Sequence, residues 1–162
     1  PVAIRYPRGG NRQLTDSAWK NQPEVAKNGL LTLHKTGTEA YIVTYGVLTA
    51  NALVAAQLLE QKGISVGVIR LLSVEPIPTK ELADIVGTCK NLFVVEECCA
   101  GCGIQESLAC QLMTYIPNCR VHGINLGEGF IRHGDMKSLY EHYGLDGHTI
   151  TDRIQEVVQV EK

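Results

Sequence analysis

The densest group of chemistry-bearing residues in this chain lies between positions 92 and 113. Glu96 and Glu97 follow the apolar run Leu92-Phe93-Val94-Val95, and the turn Cys98-Cys99-Ala100-Gly101-Cys102-Gly103 follows them. Thiols and glycines placed between a strand and a helix can serve as a backbone cradle for phosphate, a thiol redox pair or a metal site. Each chemistry demands a pattern. A dinucleotide cradle needs G-x-G-x-x-G, and here Gly101-x-Gly103 runs on to Glu106, whose carboxylate at the helix start would oppose a phosphate. The Cys99-x-x-Cys102 pair has the spacing of a redox dithiol, at a place where a helix dipole lowers a thiol pKa. Against it, no thioredoxin-like order of elements precedes the pair, no Trp or Pro flanks it, and Cys98 stands beside it. Zinc needs four ligands, yet there is no second C-x-x-C and no H-x-x-x-H, and Cys89, Cys110 and Cys119 stand singly. The structural reading is preferred: both glycines permit a tight turn and close packing of helix on strand.

Two further groups were weighed. Of the five histidines, His34 and His122 fall in predicted strands, while His142 and His148 border helix ends. Only His133, in the loop Ile131-Arg132-His133-Gly134, occupies a place typical of sites, and it has no carboxylate partner at a definable spacing. Near the N-terminus, Arg5-Tyr6-Pro7-Arg8-Gly9 sets two guanidiniums at a strand end, with Pro fixing a turn and Gly leaving room for a ligand. A forked, permanently charged donor suits a phosphate or carboxylate. Spacing alone favours a surface ion pair. No nucleophile elbow, P-loop or kinase motif set is present in the sequence.

These residues are positioned by a regular succession of elements. A β-prone stretch over 1–6 ends in Pro7-Arg8-Gly9-Gly10-Asn11, and 11–22 is a polar linker in which Trp19 is the only aromatic group. Strands are predicted over 27–35 and 40–45, joined by a hairpin-like turn and therefore antiparallel. A helix over 49–62 stops at Gly63, a strand covers 64–72, and a Pro76 to Pro78 bend leads into a helix carrying Leu82, Ile85 and Val86. The strand before the Cys/Gly turn is expected at the centre of the sheet, and a helix follows it over 104–116. A last strand over 120–126, a short helix over 135–142 and an amphipathic helix over 149–160 complete the order. Helical crossovers make the later strands parallel and put helices on both faces. The expectation is an α/β fold, a three-layer α/β/α sandwich with a mixed, mostly parallel five-stranded sheet.

The totals narrow the function. A chain of 162 residues is about one domain and buries roughly 70% of its unfolded surface without needing disulfides or a metal. Fifteen basic against 17 acidic side chains create no field for nucleic acid or an anionic membrane. No apolar run reaches the ~18 residues of a membrane span, and the start lacks a signal-peptide layout. A cytoplasmic setting is expected, with the six cysteines reduced. The sequence starts at Pro1 inside an apparent strand, so a segment cut from a longer polypeptide is also expected.

A resemblance covers the chain from end to end. Val2-Ala3-Ile4-Arg5-Tyr6-Pro7-Arg8-Gly9 resembles the segment that ends the pyrimidine-binding domain of the 1-deoxy-D-xylulose-5-phosphate synthases, thiamine-diphosphate enzymes of the transketolase superfamily. Tyr45-Gly46 with the Ala-rich helix, Arg70 leading to Glu75-Pro76-Ile77, Val94-Val95-Glu96-Glu97, Ile131-Arg132-His133-Gly134 and Tyr143-Gly144-Leu145-Asp146 resemble that family's C-terminal domain in order. The turn after the Glu pair departs from the family in being shorter and lacking serine, and Glu75 stands where lysine is common.

The resemblance implies a transketolase C-terminal-like domain over 23–162, preceded over 1–22 by the end of the pyrimidine-binding domain and a linker. It implies a parent that makes an isoprenoid precursor from pyruvate and glyceraldehyde 3-phosphate, a cytoplasmic homodimer using thiamine diphosphate and Mg2+. Those cofactors would be held by absent domains and not by this segment, which would be structural, dimer-supporting and inactive alone. Arg8 would match the arginine that binds the phosphate of the aldehyde substrate, with Arg5 second. A transketolase or a 2-oxo acid dehydrogenase β subunit is the alternative parent. A free-standing thiol-redox or regulatory module built on Cys99 and Cys102 is the alternative of another class.

Overall fold

The computed structural model describes residues 24–25 and 29–160. Arg5, Arg8, Trp19 and the predicted strand over 1–6 lie outside the described residues, as does the whole stretch 11–22 assigned to a linker. In chain order the elements are β1 (Glu24–Val25), β2 (Leu31–Lys35), β3 (Ala40–Tyr45), a 3-10 turn (Gly46–Leu48) and α1 (Thr49–Gln61). Then come β4 (Val66–Leu71), α2 (Thr79–Val86), β5 (Asn91–Val95), α3 (Gln105–Leu112), β6 (Arg120–Ile124), α4 (Met136–Tyr143) and α5 (Gly147–Val160).

The sheet has the order β1-β2-β4-β3-β5-β6. β3, β4, β5 and β6 are mutually parallel, and β2 is antiparallel to β4. All five predicted strands are therefore present in a mixed, mostly parallel sheet, and the two-residue β1 adds an antiparallel edge. Alternation along the strands sorts their side chains into two cores. Ile42, Val66, Val68, Phe93 and Val95 pack under α1 and α5 with Leu59, Ile150 and Ile154. Tyr41, Val43, Ile69, Leu71, Leu92 and Val94 pack under α2 and α3 with Leu82, Val86, Leu108 and Leu112. Strands covered on both faces read as continuous apolar runs, as 40–45 and 91–95 do.

Two local expectations are corrected. β2 and β3 do not form a hairpin, because β4 lies between them and pairs with both. The connection instead crosses the start of β4: Thr38 and Glu39 N–H groups donate to the Ser65 carbonyl at 3.3 and 3.0 Å, and Ser65 N–H donates to the Glu39 carboxylate at 2.7 Å. The crossing depends on Gly37, where a Cβ would run into the backbone of Val66 and Gly67. A side chain on Gly67 would in turn strike the Tyr41 ring. The strand ahead of the Cys/Gly turn, β5, is not central; it lies between β3 and the edge strand β6. It is nevertheless buried along its whole length, since helices cover both of its faces.

Candidate functional site

Parallel strands end on one edge of the sheet, where α/β proteins bind ligands. The ends of β3 and β5 bring Tyr45 and Glu96 together there. Glu96 is the first residue after β5 and is only 2% exposed. Its carboxylate accepts hydrogen bonds from the Ile104 N–H at 2.8 Å, the Gln105 N–H at 3.3 Å and the Tyr45 hydroxyl at 3.1 Å. A buried carboxylate is tolerable only when its oxygens are satisfied in this way. The Cys98 Sγ lies 3.4 Å from the Tyr45 Oη. Burial pushes the Tyr45 phenol well above its ordinary pKa, and the contact with Cys98 and the negative charge of Glu96 push it further. Tyr45 is therefore a permanent hydrogen-bond donor and not a base.

The local sequence explains the arrangement. α3 begins after Ile104, which has no side chain able to cap the free N–H groups of the first turn. Glu96 supplies that cap from the strand, and its charge complements the positive end of the helix. Gly103 makes the approach possible, since a Cβ there would overlap the carboxylate. The phosphate cradle considered from sequence is thus filled by the chain's own anion. The carboxylate bonded to the helix start is Glu96, whereas Glu106, in the first turn of α3, is exposed.

The other predicted residues are distributed as follows. Cys99 is half-buried and Cys102 exposed, and both thiols are free. The Cys102 N–H donates to the Cys99 carbonyl at 3.0 Å, closing a turn over Ala100 and Gly101. No group of three or more His, Cys, Asp or Glu side chains able to hold a metal ion is present among the described residues. His133, His142 and His148 are exposed. His122 sits in β6, stacked on Phe93 with ring centroids 4.8 Å apart and its Nε2 3.0 Å from the Asn91 Oδ1. Glu96 and Tyr45 were missed as a pair from sequence. The signal that could have found them is a helix starting without a capping residue, nine positions after a Glu that directly follows a strand.

The order and direction of the strands, with helices on both sheet faces, define an α/β/α domain of mixed sheet in which an internal carboxylate occupies the helix start at the strand-end edge. A family model described as the transketolase C-terminal domain matches residues 29–150, and the chain belongs to this family. The 1-deoxy-D-xylulose-5-phosphate synthase of Chlorobium phaeovibrioides is 32% identical over 157 residues, which is 96% of this chain and 24% of that protein. The synthase of Clostridium kluyveri is 30% identical over 168 residues, 99% of this chain and 25% of that protein. The chain thus spans about a quarter of the length of the curated relatives it matches. Among solved structures, a split-gene transketolase described as an inactive beta4 tetramer superposes with a TM-score of 0.70 at 27% identity, over 82% of this chain and 42% of that one. Transketolase from Campylobacter jejuni superposes with a TM-score of 0.64 at 17% identity, over 84% of this chain and 20% of that one, which bears on the fold alone.

Proposed function

We propose that the chain acts as the C-terminal domain of a thiamine-diphosphate-dependent 1-deoxy-D-xylulose-5-phosphate synthase. In that role it packs against the other domains of a cytoplasmic homodimer and carries no reaction alone. The observation that carries this reading is the match of 29 to 32% identity to synthases over 96 to 99% of the chain. The site geometry supports a structural role. The start of α3, where this edge would take a diphosphate, is filled by Glu96, so the described residues do not fit thiamine diphosphate. The segment around Arg5 and Arg8 is the part of the chain suited to substrate, through guanidinium contacts to the phosphate of the aldehyde.

The test is to express the full-length parent and assay 1-deoxyxylulose 5-phosphate formation from pyruvate and glyceraldehyde 3-phosphate with thiamine diphosphate and Mg2+. Product formation is the expected result. A parent that ignores pyruvate and instead moves a two-carbon unit between sugar phosphates would replace this reading with transketolase.

A further inference from the structure

Two pairs of cysteines come near each other among the described residues. Cys89 and Cys119 flank the first rung of the β5–β6 ladder, where Asn91 faces Arg120. Their thiols are turned onto backbone carbonyls, and burial pushes both upward in pKa, Cys119 to about 11. Such thiols are poor nucleophiles.

Cys99 and Cys102 lie in the turn that follows β5. Cys102 is exposed and Cys99 half-buried, so both are within reach of a small reagent. The hydrogen bond from the Cys102 N–H to the Cys99 carbonyl closes a four-residue turn. Gly101, at φ +73°, takes the left-handed corner. A turn of this kind holds its end Cα atoms within about 7 Å, and disulfides span roughly 4.4 to 6.8 Å. The turn is braced from outside, since the Ala100 N–H donates to the Gly127 carbonyl at 2.9 Å and the Leu126 N–H to the Cys98 carbonyl at 3.0 Å. Cys98 does not compete, because its sulfur faces Tyr45.

We propose that Cys99 and Cys102 form a reversible dithiol–disulfide modification site for low-molecular-weight disulfides. The Cys102 thiolate attacks one sulfur of the reagent, forming a mixed disulfide and releasing one thiol. The Cys99 thiolate then attacks the Cys102 sulfur, closing the protein disulfide and releasing the second thiol. Two protein thiols are oxidised, the reagent's disulfide is reduced to two thiols, and the two protons pass to the released thiolates. The site lies within the domain whatever enzyme the domain serves.

The test uses the 162-residue chain with glutathione disulfide as probe, followed by acid quenching, alkylation and peptide mass mapping after cleavage at glutamate. The peptide spanning 98–106 should carry one alkyl group where the reduced peptide carries three, with Cys99 and Cys102 joined and no glutathione adduct, and dithiothreitol before alkylation should restore all three. Cys98→Ser should leave closure intact. Cys99→Ser should trap the mixed disulfide on Cys102. The proposal is overturned if the wild-type peptide stays reduced, retains glutathione, or if the bridge forms between Cys89 and Cys119. The wild-type map decides the matter even if a variant does not fold.

Discussion

Removing the Glu96 carboxylate should release the start of α3 from the end of β5. In Glu96→Ala the Ile104 N–H loses a 2.8 Å bond outright, while the Gln105 bond is already long at 3.3 Å and Tyr45 retains its contact with Cys98. A hydrogen bond to a charged group contributes about 1.5 to 3 kcal/mol, and a partly buried charge at a helix end up to ~2 kcal/mol. One full bond with fractions of two others gives a loss of about 3 kcal/mol. For a domain of this size that is a fall in Tm of roughly 6 to 12 °C. Urea unfolding followed by far-ultraviolet circular dichroism measures it directly. Gly103→Ala should cost about 2 kcal/mol for a different reason, because the new methyl collides with the pinned carboxylate. The two losses should not add. With Glu96 shortened the collision disappears, so the double variant should be at least ~1 kcal/mol more stable than the sum of the single losses requires. A cost below about 1 kcal/mol for Glu96→Ala, or a Gly103→Ala penalty that is the same with and without the carboxylate, would refute this role for Glu96.

If the start of α3 is an anion site filled from within, Glu96→Ala should acquire affinity for inorganic phosphate. With millimolar binding, ~50 mM phosphate would restore about 2 kcal/mol of stability to the variant and leave wild type unchanged, read as a shift of the urea midpoint. Burial, and then the positive charge of Arg70, hold the His34 pKa below its ordinary 6.5, so the unfolded chain takes up this proton first as pH falls. Stability should therefore drop below about pH 6.5 and level off once the folded imidazole is also protonated; His34→Gln should flatten that part of the urea-midpoint profile, and an unaltered slope would refute the assignment. In the parent enzyme, Arg8→Ala should raise KM for the phosphorylated aldehyde about 10- to 100-fold while leaving KM for pyruvate nearly unchanged; equal effects on both substrates would make Arg8 structural.

The fold was legible in sequence wherever local signals were decisive. Apolar, β-branched runs such as Ala40–Tyr45 and Asn91–Val95 are strands, and Gly63 and Gly144 end helices, both with positive φ. Pairing was less legible, because neighbours in a sheet are chosen by contacts distant in sequence. Four residues between β2 and β3 suggest a hairpin, but the absence of side chains at Gly37 and Gly67 lets the connection cross β4 instead. Neither glycine announces its partner.

The site was hidden for a related reason. Glu96-Glu97 reads as an acidic pair at a strand exit, and the Cys/Gly turn reads as a tight turn that packs helix on strand, with no partner named for either acid. Strand alternation separates the two acids: Glu96 turns inward and is buried, while Glu97 is exposed. A helix opening on Ile104-Gln105 has amide donors to satisfy, and no Ser, Thr, Asp or Asn stands at its start to do so. Counting those donors, rather than searching for a ligand motif, leads to the only acidic side chains at the adjoining strand end and to Gly103 as the gap through which one of them reaches. An edge whose helix start is already neutralised from within is built to keep β5, the turn and α3 in register.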